Sequence, residues 1–369
     1  MLLRTLLTLS FFVGITCLAM VVSPVVSANA DAGTGPELES SGPLAFGPDG
    51  ILFIADNQGT SIYALEMGER LLGNKTGVKD VKGIDQKIAA MLGTNAREIQ
   101  INDLAINPGS KNAFISATRG RGANATPVLL RVDGLGAIEV ISLRDVKYTR
   151  ITLPNAPDAN PGARRNPRMQ TVTDMAYVDG QLFLAGLSNE EFSSKLRSVP
   201  FPFSDIDDGT SVEIWHAAHG QFETHSPVYT FVPYDVSGEK HLIAGYLCTP
   251  LVKFPISDLQ PGEKVMGTTI AELGNRNRPL DMVVYTKDGS DYLLMSNTSR
   301  GVMKIPTETF GTQPGITENV GDGGQAGVAY ETIAQMTGVE QLDLLDEQYA
   351  IVIARNDAGV ADLEAVALP

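Results

Sequence analysis

Gly42-Pro-Leu-Ala-Phe-Gly-Pro-Asp-Gly-Ile-Leu-Phe-Ile-Ala-Asp-Asn57 is the stretch on which the architecture of this chain turns. It reads as an apolar strand, a Pro-Asp-Gly turn and a second apolar strand ending in small polar residues. A third strand, Ser61-Ile-Tyr-Ala-Leu65, follows after a short break. The phrase returns five more times. The copies are Ile101–Ile106 with Ala113–Arg119, Val172–Tyr177 with Gln181–Asn189, Val228–Val232 with His241–Thr249, Pro279–Val284 with Tyr292–Asn297, and Gln341–Leu345 with Tyr349–Asn356. A strand-built unit recurring every roughly fifty to seventy residues is the signature of small sheets arrayed about an axis. The reading is an all-β, six-bladed β-propeller.

Residue alternation supports the same blade. The second strands are apolar almost throughout, as expected of strands covered on both faces by neighbouring sheets. The turns before them carry Asp49-Gly50, Asp179-Gly180, Ser237-Gly238 and Asp288-Gly289, dipeptides suited to positive φ in tight hairpins. The last copy stops after its third strand, Leu363-Glu-Ala-Val-Ala367, so its outer strand is expected from residues 31–41, with Glu37-Leu-Glu-Ser40 as the segment. Two stretches depart from the rhythm. Residues 82–98 read as a short helical insertion, with Asp85 as N-cap and Ile84, Ile88, Met91 and Leu92 on one stripe. Insertions in repeat folds tend to emerge on the binding face, so this helix is expected as a partial lid over the channel. Residues 188–209 form a longer connection whose prolines favour extended backbone.

Arg4, the apolar run from Leu6 to Val22 and Ala28-Asn-Ala30 have the layout of a signal peptide cleaved after Ala30. Residues 31–369 are then one domain, secreted or periplasmic, with no membrane insertion after cleavage. Cys248 would be the only cysteine left, which excludes an internal disulfide; at the end of an apolar strand it reads as a small buried hydrophobe. The formal charge of −15, with no basic block to offset it, excludes nucleic acid as a partner.

Four copies place aspartate at one register of the first strand: Asp103, Asp174, Asp281 and Asp343. In a closed ring these approach the axis together. They can cap backbone amides of their own blades, or they can hold a metal, for which Ca²⁺ with its many oxygen ligands is the fitting ion. A second set, Asn57, Arg119, Asn189, Asn297 and Arg355, lies at the far ends of the second strands, on the same face by chain direction. Such groups either satisfy turn backbone or bind a small polar ligand. His216-Ala-Ala-His219 follows an alternating outer strand and reads as a solvated pair with no third metal ligand evident. No Gly-x-Ser-x-Gly elbow, Cys/His metal cluster or haem-attachment motif is present in the sequence.

Phe46-Gly-Pro-Asp-Gly-Ile-Leu-Phe-Ile-Ala-Asp-Asn57 resembles blades of the NHL and SMP-30/gluconolactonase-like propellers at superfamily level. That resemblance implies a propeller, and for gluconolactonase-type relatives a lactone hydrolase using an axial divalent metal held by Glu, Asn and Asp. The chain supplies Asn and Asp candidates but no matching inner-strand glutamate. The expectation is therefore an exported binding or scaffold protein presenting a polar channel face to a small polar ligand or protein partner. The alternative is a Ca²⁺-assisted hydrolase of lactonase type.

Overall fold

Each apolar second strand lies between the first and third strands of its own copy, antiparallel to both. The computed structural model describes residues 27–29, 35–73, 78–160, 166–321 and 323–369. Apart from the backbone of Ser27–Asn29, the expected leader lies outside the described residues. The blades have inner strands Leu44–Phe46, Ile99–Ile106, Asp174–Val178, Val228–Val236, Pro279–Lys287 and Val339–Leu344, taken in chain order. Positive φ at Asp49, Asp179, Ser237 and Asp288, each followed by a left-handed glycine, makes the hairpins that the sequence predicts. The six sheets close into a six-bladed β-propeller.

The order of the blades around the ring is not the order of the chain. One apolar layer joins the first blade to the second through Leu52, Ile54 and Tyr63 against Phe114 and Leu129. Another joins the first directly to the third, through Phe53 and Ile62 against Leu182 and Leu184. A third packs Ile115 and Leu130 of the second blade on Ile351 and Leu363 of the sixth. The ring therefore runs second, first, third, fourth, fifth, sixth and back to second. The chain builds three strands of the first blade, departs to make the second, and returns with Tyr148–Thr152 as the outer strand of the first. Ser27–Asn29 lies antiparallel outside that strand.

Closure of the sixth blade corrects the sequence expectation. Residues 35–41 stay on the first blade, where Ser40 and Glu39 donate backbone N–H to Asp56. The outer-strand position of the sixth blade is taken instead by Val81, whose N–H and C=O exchange hydrogen bonds of 2.9 and 3.0 Å with Leu363. The insertion is helical over Ile84–Met91, and its buried face, Ile84, Ile88 and Ala89, packs between the second and sixth blades. Gly83, not Asp85, occupies the N-cap position. The helix lines neither axial cavity and so is no lid: its apolar stripe is used to seal the blade edge that the chain's last strand leaves open.

Candidate functional site

The four aspartates meet at one level of the channel and bridge adjacent blades. Each Oδ1 accepts from the next residue's own N–H, at 2.8 Å for Leu104 and Met282 and 2.7 Å for Met175 and Leu344. Each Oδ2 reaches across. Asp103 accepts from Leu44 at 2.6 Å, Asp174 from Phe231 at 2.7 Å, Asp281 from Leu342 at 2.8 Å, and Asp343 from Ile106 at 2.7 Å. The inner strands splay towards the axis and cannot pair with one another, so their N–H groups need such acceptors. The carboxylates thus cap their neighbours as well as their own blades.

Burial is the main reason these acids resist ionising. Asp174 and Asp343 are pushed up to about 6, desolvation outweighing the amide hydrogen bonds. Asp103 and Asp281 are raised well above 3.8, first by desolvation and then by the charges of the other belt members. By surface area the four aspartates are only partly buried, but the surface they present is the channel interior, ringed by protein. That surrounding, rather than the small accessible area, governs the shift.

The belt divides the channel. On the hairpin side a cavity of about 460 Å³ is walled by apolar inner-strand residues, with Lys111 at its rim. On the other side a mouth of about 330 Å³ is lined by Ser41–Pro43, Asn57, Gln100–Asn102, Thr173, Tyr229, Arg278 and Gln341, among others. Asn102, Tyr229 and Leu280 are the extra residues of β-bulges immediately ahead of the belt position, which re-aims their side chains at this opening. Arg278 carries its guanidinium 5.6 Å from the Tyr229 ring centre, and no carboxylate pairs with it among the described residues.

The residues singled out at the second-strand ends are on this face but do not converge. Asn57 lines the mouth, yet its carboxamide is spent on both backbone groups of Val172. Asn297 lines a neighbouring groove and holds its own turn through Ser299 and Arg300. Arg355 lines that groove too, clamped by Glu340 at 2.8 and 2.9 Å and by Asp85 at 3.2 Å. Arg119 and Asn189 are exposed and border neither the mouth nor this groove. The sequence reading passed over Arg278, Tyr229 and Gln341. An alignment of the repeats on the aspartate would have found the first: Gln100 and Arg278 both stand three residues before it.

A second polar cluster lies off the axis, between the third and fourth blades. The solvated-rim reading of His216 is corrected: the ring is buried beneath the turn that follows the next blade's second strand. His216 Nδ1 and His219 Nδ1 both meet Glu223, at 2.8 and 2.6 Å. Desolvation pushes the Glu223 carboxyl up, but the hydrogen bonds and charge attraction of both imidazoles outweigh it and hold it down at about 2. Cys248 is not an inert core residue either. It is partly exposed in a turn with φ of +63°, and its sulfur approaches the two rings.

No family model and no curated protein matches the chain. Among solved structures it is similar to the PQQ-bound aldose sugar dehydrogenase of Streptomyces coelicolor, with 12% identity over 93% of this chain and 98% of that one, at a TM-score of 0.32. It is also similar to an exo-1,5-α-L-arabinanase from a bovine ruminal metagenomic library, with 13% identity over 73% and 94%, at a TM-score of 0.36. The Raptor protein of Chaetomium thermophilum gives 10% identity over 93% of this chain and 30% of that one, at a TM-score of 0.37.

Proposed function

We propose that the chain is an exported binding module whose mouth, on the second-strand side of the belt, holds a small polar ligand bearing an acidic group. One observation carries this reading. In a protein of formal charge −15, Arg278, which no carboxylate pairs among the described residues, presents its guanidinium to a polar axial cavity, backed by an aromatic face. The walls are stiffened by the Asn57 clamp and by Asn102, which donates to the Ser41 carbonyl at 2.7 Å. A preformed site loses little ordering entropy on binding. Export rests on the leader-like residues 4–30. Cleavage after Ala30 would remove Ser27–Asn29 and leave the first blade four strands.

A second reading keeps kinship with the SMP-30/gluconolactonase-like propellers and places Ca²⁺ at the belt, where it would polarise a lactone carbonyl. It rests on the crowding of four carboxylates whose charges oppose one another. It also requires them to share oxygens already committed to amides.

Thermal unfolding separates the two. Citrate and gluconate are expected to raise the midpoint of the wild type but not of Arg278→Ala, since only a ligand bound to the native state stabilises it. Equal responses in both proteins, or none in either, would remove the mouth as the binding site. A drop on adding EDTA that Ca²⁺, and not Zn²⁺, reverses would instead establish the second reading.

A further inference from the structure

From the cluster between the third and fourth blades we infer a second site: His216, His219 and Cys248 form a three-ligand centre for a borderline-soft divalent ion, Zn²⁺ in particular. The three ligand atoms lie within 4.8 Å of one another. The imidazoles stack with centroids 3.8 Å apart and planes inclined by 33°. Both Nδ1 atoms are occupied by one carboxylate, Glu223, which leaves each Nε2 as the donor. A carboxylate behind the histidines fixes tautomer and orientation in the manner of known zinc sites.

Sequence places these groups there for a reason. His216 ends the strand Thr210–His216, and a tight turn brings Gln221–Glu223 back against it, setting Glu223 beside the two rings. The thiol comes from the neighbouring blade, after the strand Glu239–Tyr246. Its turn is pinned by the Cys248 N–H donating to Asn277 O at 2.8 Å. Two non-glycine residues in succession, Cys248 and Thr249, hold positive φ there.

Two further observations favour a cation at this place. His216 is 1% exposed, and its Nε2 has no hydrogen-bond partner among the described residues. Glu272 is 0% exposed; its Oε1 accepts from Ala218 N–H at 3.2 Å, while its Oε2 has no hydrogen-bond partner among the described residues. Glu272 is close enough for both imidazoles to act on it electrostatically. A buried imidazole nitrogen and a buried carboxylate oxygen without partners are costly. A divalent ion on the imidazole nitrogens would satisfy the first and offset the charge of the second. Tetrahedral zinc holds its ligand atoms roughly 3.3–3.8 Å apart, a short contraction from the present spacing. A donor set of two nitrogens and a thiolate selects against Ca²⁺ and Mg²⁺. With three protein ligands, one position is left for water or a ligand group, on the side where His219 is exposed. A cavity of about 480 Å³, bordered by Glu223, Leu247, Phe222 and Tyr229, lies beside it.

The test is titration of the purified protein with Co²⁺, followed by Zn²⁺ competition against a chromophoric chelator. The wild type is expected to take up one equivalent, with a thiolate-to-cobalt charge-transfer band and the intense visible bands of tetrahedral cobalt. Cys248→Ser should lose the charge-transfer band, and His219→Ala should bind far more weakly. Glu223→Gln keeps all three ligands, so it should keep the band while losing about 10–100-fold in affinity. Circular dichroism on each variant confirms that the fold is intact; the exposed His219 and the near-isosteric serine make loss of folding avoidable. Absence of the band in the wild type, its persistence in Cys248→Ser, or wild-type affinity in Glu223→Gln would each overturn the site.

Discussion

The Asn57 carboxamide accepts from the Val172 N–H at 2.7 Å and donates to the Val172 carbonyl at 3.0 Å, both inside the protein. It behaves as a piece of strand, completing a ladder between the first and third blades where no strand exists. Asn57→Ala leaves two buried backbone groups unsatisfied, and each such loss costs about 1–3 kcal/mol. Chemical denaturation should therefore show a lowered midpoint with an unchanged slope. Wild-type stability in this variant would mean that water replaces the amide. From sequence, Asn57 could be narrowed to turn or ligand, because its partner is 115 residues away in the chain. His216, Glu223 and Cys248 were illegible for the same reason. Nothing local announces that the third blade's outer strand and the fourth blade's turn share one pocket.

Among the elements, first, second and third strands could be read from apolar runs and turn dipeptides, since those depend on neighbours a few residues away. Outer strands and ring order could not. The blades pack through apolar faces on both sides, so the apolar pattern alone does not say which blade lies against which. The exchanged positions of the first two blades follow from Tyr148–Thr152 returning to the first. The closing segment is Val81, held also by Gly83 N–H on Asp362 at 2.6 Å and Ala365 N–H on Asp80 at 2.9 Å. Proline cannot donate to that bridge, so Val81→Pro should loosen the sixth blade. Hydrogen exchange is expected to accelerate over Tyr349–Ala367 while Gln181–Leu187 stays protected. Unchanged protection over the last blade would show that the bridge is not what closes it.

At the scale of the whole molecule, the belt ties the ring together and also opposes it electrically. Its amide bonds join blades in one rotational sense, from Asp103 to the first blade, Asp343 to the second, Asp281 to the sixth and Asp174 to the fourth. Its charges repel. The recurrence of the aspartates could be read from sequence; their cross-blade reach could not, because it depends on the ring geometry. Since Asp174 and Asp343 hold protons up to about 6 in the folded state against 3.8 ordinarily, the native protein binds more protons than the unfolded chain between those values. Their contribution to stability is then full below pH 3.8 and is lost as pH rises towards 6.

The decisive measurement is the unfolding midpoint of the wild type and of Asp174→Asn, followed from about pH 4 to about pH 7.5. If the aspartates are partly neutral clamps around a closed axis, the wild-type midpoint falls as pH rises to about 6, and the fall is shallower in the variant. Parallel curves for the two proteins, or a wild-type midpoint that climbs through that range more steeply than the variant's, would contradict the account.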